Sequence, residues 1–262
     1  MGELQGQVAV VTGASRGIGC AVAVALGQAG ANVAINYFDE LHEAPRAVEE
    51  IERAGSRAIL VQGDVADPDA VQGLVDQAVS QFGRLDIAVS SAVYSDRQLF
   101  HEADMTGFRR TIDVTMWGAF HLLRSVTRQF LAQGGGGSVV LVSSPHAYIA
   151  IPQSMAYNMS KAAVDQMART AAIELTSHKV RVNVIVPGWT DTPGERKFAS
   201  DEMIERAGKK LPWGRLARPE EIARGVVFLC DPKSDYITGS SLLIDGGNTL
   251  PWWASRGSAV PQ

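Results

Sequence analysis

Tyr157 and Lys161 stand four residues apart in Tyr157-Asn-Met-Ser-Lys161, and Ser144 lies upstream of them. On a helix that spacing puts a phenol and an ammonium on one face, one turn from each other. A free tyrosine titrates near pH 10 and is a poor acid–base group at neutral pH. A cation beside it favours the phenolate, and lowering the pKa by about 3 units takes roughly 4 kcal/mol of differential stabilisation. A serine hydroxyl at the same place can hold a carbonyl or hydroxyl oxygen beside the phenol. Tyr-x-x-x-Lys recurs by chance, so the reading depends on what positions the three side chains.

The flanking sequence supplies those elements. From Met155 to Leu175, Met159, Ala162, Ala163, Met167, Ala171, Ala172 and Leu175 recur at helical steps, with Ser154 as the expected N-cap. Ser138 to Ser144 reads as a buried strand ending in two hydroxyls. Near the N-terminus, the strand-like run Val8 to Thr12 is followed by Gly13-Ala-Ser-Arg-Gly-Ile-Gly19 and a helical stretch from Cys20 to Ala29. Strand, glycine turn and helix make a phosphate cradle: glycines admit the backbone close to a pyrophosphate, and a helix N-terminus presents N–H groups and positive dipole.

Strand and helix alternate along the rest of the chain. Strands are expected at Asn32 to Asn36, Ala58 to Gln62, Leu85 to Ser90, Arg181 to Val186 and Ser241 to Asp245. Helices are expected at Glu43 to Ala54, from the Asp67 cap to Gln81, as one long helix from Phe108 to Leu131, and at Pro219 to Leu229. Seven strands separated by helices predict a doubly wound α/β sheet in a single domain spanning 1–262. In such a sheet ligands bind beyond the carboxyl ends of the strands, where strand order reverses. Gly13, Asp64, Ser90, Ser144 and Pro187 all follow strand ends, so the glycine turn and the Ser/Tyr/Lys group share one edge.

The 262 residues are 46% hydrophobic and 20% charged, enough for one large core. A net charge of −4 offers no basic footprint for nucleic acid or an anionic membrane. No apolar run reaches a membrane-spanning length, and the N-terminus enters a strand too early for a signal peptide. Cys20 and Cys230 read as reduced packing residues, and the expected compartment is cytoplasmic. His42, His101, His121, His146 and His178 show no ligand spacing, so no metal is expected.

Together these motifs resemble the short-chain dehydrogenase/reductase family over nearly the whole chain. The carriers are Thr12-Gly-Ala-Ser-Arg-Gly-Ile-Gly19, Asp64-Val65, Ser144 with Tyr157-x-x-x-Lys161, Pro187-Gly188 with Thr192, and Ile244-Asp-Gly-Gly247. The resemblance implies a single-domain Rossmann-like fold, seven-stranded and mainly parallel, with helices on both faces. It implies hydride transfer between a nicotinamide dinucleotide and an alcohol or carbonyl, with the pro-S hydride of the reduced cofactor reaching the carbonyl carbon.

By the same resemblance Tyr157 is the general acid/base, Ser144 orients substrate, and Lys161 lowers the tyrosine pKa and holds the nicotinamide ribose. Gly13, Ser15, Arg16, Gly17, Ile18 and Gly19 would cradle the cofactor. Asp64 and Val65 would meet the adenine, and Pro187, Gly188, Thr190 and Thr192 the carboxamide. The family's members are usually homotetramers, sometimes homodimers. Two positions depart from its pattern: Ser90-Ser91-Ala92-Val93 stands for Asn-Asn-Ala-Gly, and Thr115 for an asparagine whose backbone carbonyl anchors a proton-relay water. Thr115 keeps a backbone carbonyl, so the relay is the step these departures touch.

Tyr37 occupies the place where a carboxylate would select NAD, and Arg16 is suited to a 2′-phosphate, which tilts the choice to NADP with NAD as the alternative. The substrate is a small alcohol or ketone, a sugar or polyol first and a 3-oxoacyl compound second. His146 and Tyr148 fall in the substrate-facing segment. Residues from about 190 to 215 form the expected lid, with Trp189, Phe198 and Trp213 shaping a pocket. The tail 249–262 carries Trp252 and Trp253, which suggest docking onto this or a neighbouring subunit. The rival reading is a catalytically impaired nucleotide-binding regulator or scaffold.

Overall fold

The computed structural model describes residues 2–250, so Trp252 and Trp253 lie outside the described residues. Among the described residues seven strands form one sheet: β1 (Val8–Thr12), β2 (Asn32–Tyr37), β3 (Ala58–Gln62), β4 (Ile87–Ser90), β5 (Gly137–Val142), β6 (Val180–Pro187) and β7 (Ser241–Ile244). Their order is β3-β2-β1-β4-β5-β6-β7, and every pairing is parallel. The order reverses between β1 and β4, which opens a crevice beyond their carboxyl ends.

Helices cover both faces: α1 (Gly17–Gln28), α2 (Ala44–Arg53), α3 (Pro68–Phe82), α4 (Met105–Ile112), α5 (Gly118–Gln133), α6 (Met155–Leu175), α7 (Asp201–Gly208) and α8 (Pro219–Cys230). The central strands are apolar on both sides because both faces are covered, and β1 and β4 are buried at every residue. One core gathers Leu74, Leu122, Phe130 and Val164 from α3, α5 and α6. The other gathers Leu26, Ile51, Ile222 and Leu229 from α1, α2 and α8, with Cys20 and Cys230 both unbridged and buried inside it.

Several boundaries differ from the sequence expectation. The single helix expected over Phe108 to Leu131 is two helices, α4 and α5, joined by a π-helical turn at Asp113–Trp117. Apolar periodicity carries straight through that turn, so it leaves no mark on the pattern. β5 stops at Val142; the Ser143 N–H still donates to the Ile185 carbonyl of β6 at 2.8 Å, and Ser144 follows it. Ser154 does not cap α6; its hydroxyl donates to the Pro152 carbonyl at 3.4 Å instead. Asp67 does cap α3, accepting from the Asp69 N–H. The polar stretch expected as a lid contains a helix of its own, α7, capped by Ser200.

Two polar side chains tie the glycine turn to the sheet. Asn36 is buried within β2; its amide donates to the Gly63 carbonyl at 3.0 Å, and its oxygen accepts from the Gly13 N–H at 3.3 Å. The Thr12 hydroxyl accepts from the Ser91 and Ala92 N–H groups at 3.2 and 3.4 Å. The ends of β1, β2, β3 and β4 are thereby held in one register. Asn36→Ala leaves buried peptide groups unpaired, so a loss of about 1–3 kcal/mol is expected in urea unfolding, with weakened nucleotide binding. A variant of unchanged stability and affinity would show that the turn does not need this brace.

Candidate active site

The end of β5 and the first turns of α6 bring Ser144, Tyr157 and Lys161 together. Lys161 is 4% exposed. Its ammonium donates to the Val142 carbonyl at 2.6 Å and lies 5.5 Å from the centre of the Tyr157 ring. Tyr157 keeps part of its surface open to the cleft, and the Ser144 hydroxyl hydrogen-bonds its phenol. The strand end thus anchors the lysine, and helical spacing carries the phenol to the serine.

The electrostatics differ from the sequence expectation. Burial pushes the Tyr157 phenol up to about 12, and Ser144 and Arg97 only partly offset it. Burial likewise pulls the Lys161 ammonium down to about 8, with Asp165, one helical turn on, acting the other way. The expectation that Lys161 dominates and lowers the phenol is therefore corrected. Withdrawal from water disfavours both charged forms, and the ammonium is turned to a backbone carbonyl. Tyr157 is a protonated phenol across the neutral range.

Around this trio lies a polar wall. The His146 ring packs edge-on against Tyr157 at 5.0 Å and its Nδ1 is 2.7 Å from Asn158 Oδ1. Burial holds His146 below the usual imidazole pKa. From the segment after β6, Glu195 accepts from the Trp189 indole at 2.9 Å and faces Arg97 at 4.0 Å. The Arg97 guanidinium lies 3.8 Å from the centre of the Phe198 ring, and Lys197 sits 4.8 Å from that of Tyr94. Trp189 and Phe198 thus hold Glu195 and Arg97 in place. Trp213 is largely exposed against Gly246 rather than enclosed with them.

The two departures from the family pattern are accommodated locally. The Thr115 hydroxyl donates to the Tyr94 carbonyl at 2.8 Å and lies 3.1 Å from the Tyr94 N–H, pinning the loop after β4. Thr115 sits in the π-helical turn, where carbonyls leave the regular ladder. Ser90 and Ser91 need no amide side chains to hold their turn, because Thr12 takes the Ser91 and Ala92 N–H groups.

The glycine turn leads directly into the N-terminus of α1, whose free N–H groups suit a dinucleotide's pyrophosphate, and the turn itself is closely packed. A Cβ at Gly13 would lie 2.5 Å from the Ala92 Cα, and one at Gly19 would lie 2.3 Å from the Gly13 carbonyl oxygen. Only glycines permit that close approach. Gly17 and Ile18 open α1, with Ser15 and the exposed Arg16 just before it. Thr192 adjoins Gly17, so the segment after β6 reaches the cradle. Asp64 lies past β3, and Val65 packs against Gly118. Pro187 closes β6; the Gly188 N–H donates to Ile244, and Thr190 bonds the Gly188 carbonyl.

Sequence reasoning missed Asn36, Arg97, Arg110, Asp165 and Glu195. Asn36 had a signal, a lone polar residue inside an apolar strand; the others are ordinary charges until the fold brings them to the cleft.

Lys161 also yields a stability test. Between about 8 and the ordinary 10.5 the unfolded chain holds a proton on this lysine that the folded chain does not. Stability from this group therefore rises with pH through that window. Tyr157, and the buried thiols of Cys20 at about 11 and Cys230 at about 12, act oppositely at the alkaline end. They are common to a Lys161→Met variant, so the wild type should gain on that variant in urea midpoint from pH 8 to 10. A gap that does not change with pH would contradict the buried ammonium.

A family model described as enoyl-(acyl carrier protein) reductase matches residues 13–249. The chain is 40% identical to an L-rhamnose 1-dehydrogenase (NAD(P)(+)) of a Sphingomonas species, across 93% of this chain and 96% of that protein. It is 32% identical to glucose 1-dehydrogenase 2 of Bacillus subtilis, across 95% and 96%. A crystal structure of a short-chain type dehydrogenase/reductase from Mycobacterium marinum superposes with a TM-score of 0.85 at 34% identity, covering 95% of this chain and 97% of that one. Sequence and strand order agree: this chain belongs to the short-chain dehydrogenase/reductase family of NAD(P)-dependent oxidoreductases.

Proposed function

We propose that this oxidoreductase acts on a sugar or polyol, exchanging hydride at a carbon whose oxygen is held by Ser144 and Tyr157. The observation that carries the reading is the buried phenol, hydrogen-bonded to Ser144 and set beside Lys161 at the sheet edge that holds the glycine turn. A bound nicotinamide dinucleotide supplies the hydride donor or acceptor. Tyr157 gives its proton to the substrate oxygen during reduction and takes the hydroxyl proton during oxidation. Ser144 orients that oxygen. Lys161 supplies positive charge behind the phenol, and that charge is lost above its pKa of about 8. Reduction, which uses the protonated phenol, is the direction favoured at neutral pH; oxidation is favoured by alkali.

The sugar assignment draws support from the polar wall of His146, Arg97 and Glu195, which suits a ring of hydroxyls, and from the rhamnose and glucose dehydrogenases among the relatives. A 3-oxoacyl thioester is the second candidate. The rival scaffold reading has no counterpart among those relatives. Arg16 at the head of α1 favours NADP, with NAD also accepted.

The single sheet supports one domain over 1–262, with residues 190–215 as its lid. Exposed Trp117 and Phe120 on the π-helical turn and α5, and Phe228 on α8, are apolar surface that a second copy would cover, in keeping with a homotetramer or homodimer. No helix among the described residues is long and apolar enough to cross a membrane, and the two free cysteines suit the cytoplasm.

The test is a panel of aldoses, polyols and a 3-oxoacyl thioester with each cofactor, followed by reduced-nicotinamide absorbance. Aldoses should turn over, and Tyr157→Phe should lower kcat by about 10²–10⁴ while nucleotide still binds. Turnover of the thioester alone would overturn the sugar assignment. Binding of cofactor with no turnover of anything would restore the scaffold reading.

A further inference from the structure

Tyr157, Lys161, Asp165 and Arg169 follow one another at successive turns of α6. Spacing of i, i+4 stacks them on one face, so a phenol, an ammonium, a carboxylate and a guanidinium form a row. The row runs outward from the active site: Lys161 is enclosed, the Asp165 side chain is 10% exposed and that of Arg169 51%. Ala168 and Ala172, which share the Asp165 face by spacing, belong to the core, where packing alone calls for an apolar residue. Asp165 Oδ2 lies 4.0 Å from Arg169 Nη2, and the Ser143 hydroxyl hydrogen-bonds the carboxylate. Its Oδ1 is buried with no hydrogen-bond partner. Nothing in the steps given to Ser144 and Tyr157 uses this carboxylate.

Towards the active site the next group on the row is Lys161. Among the described residues Asp165 is the carboxylate that acts on its ammonium, and it acts against burial. Tyr157, on α6, and His146, after β5, are the other titratable groups that face this ammonium. Asp165 itself is faced by Lys161, by Arg169 on α6 and by Tyr148 after β5. An enclosed cation that has no negative charge at hand gives up its proton at a lower pH. We infer that Asp165 is a positioning residue: it keeps Lys161 charged behind the phenol, and so sets how far into alkali the enzyme reduces its substrate. This role presupposes those proposed above for Tyr157 and Lys161 and supplies what maintains the lysine's charge. The Val142 carbonyl anchors the ammonium but carries no net charge, so it cannot replace the carboxylate.

The test is an NMR titration of the full chain with isotope-labelled lysine, the Lys161 signal being identified by its loss in Lys161→Met. In the wild type that signal should titrate at about 8. In Asp165→Asn it should titrate about one pH unit lower, and Asp165→Glu should restore most of the difference. Asp165→Leu fills the site without a polar group; it should titrate as low as Asp165→Asn, and it carries the comparison where the asparagine variant does not fold. The alkaline fall in the rate of gluconolactone reduction by NADPH should move to lower pH with the Lys161 midpoint. A midpoint that is the same in wild type, Asp165→Asn and Asp165→Leu would overturn the assignment, whatever the rates, and reduce Asp165 to a packing residue. A lowered midpoint with an unmoved rate profile would overturn it too. A wild-type midpoint near the ordinary 10.5 would sink the buried ammonium and this role with it. A lactone reduced at no pH would instead count against the sugar reading, and the lysine titration would still decide the role of Asp165.

Discussion

Withdrawing an ammonium and a phenol from water beside the same strand end is the constraint on which the rest of this structure depends. Lys161 is almost wholly enclosed, and its charge is met by the Val142 carbonyl at 2.6 Å and, one helical turn on, by Asp165. A buried cation without such partners is too costly to keep. The bond therefore seats α6 against the end of β5 and fixes where Tyr157 stands. Asp165 shows the cost: one of its oxygens is buried without a hydrogen-bond partner, and burial raises its pKa. The same enclosure that positions the phenol also keeps it protonated.

The remainder of the architecture serves that placement. A parallel sheet sends every strand the same way, so all the carboxyl ends meet at one edge, and the reversal between β1 and β4 opens it. Asn36 and Thr12 lock the glycine turn to three neighbouring strand ends with backbone partners. That reliance on main-chain groups accounts for how Ser90, Ser91 and Thr115 can stand where the pattern expected from the resemblance has asparagine. Across the cleft, Arg97 on Phe198 and Glu195 on Trp189 fasten the segment after β6 beside the phenol.

Much of this was legible in the sequence. Seven strands, the cradle at Gly13 to Gly19 and the convergence of Ser144, Tyr157 and Lys161 follow from apolar patterning and helical spacing, which local sequence carries directly. Three features did not. The π-helical turn at Asp113–Trp117 keeps its apolar face through the irregularity, so periodicity reads one helix. The hydroxyl of Ser154 found a nearer carbonyl in its own loop than the N–H groups of α6. The direction of the Tyr157 shift was misjudged because proximity of a charge is visible in a sequence, whereas depth is not. Arg110 and Arg97 belong to the same class, since only the fold shows that they turn inward to Asp64 and Phe198.

The central claim is that burial, rather than the neighbouring cation, sets the protonation of Tyr157. It is tested most directly by an ultraviolet difference titration of the wild type against Tyr157→Phe, which isolates this one phenol. The account predicts ionisation well above the ordinary tyrosine value of 10, toward about 12. A phenol titrating below 10 would contradict it and return control of the site to Lys161.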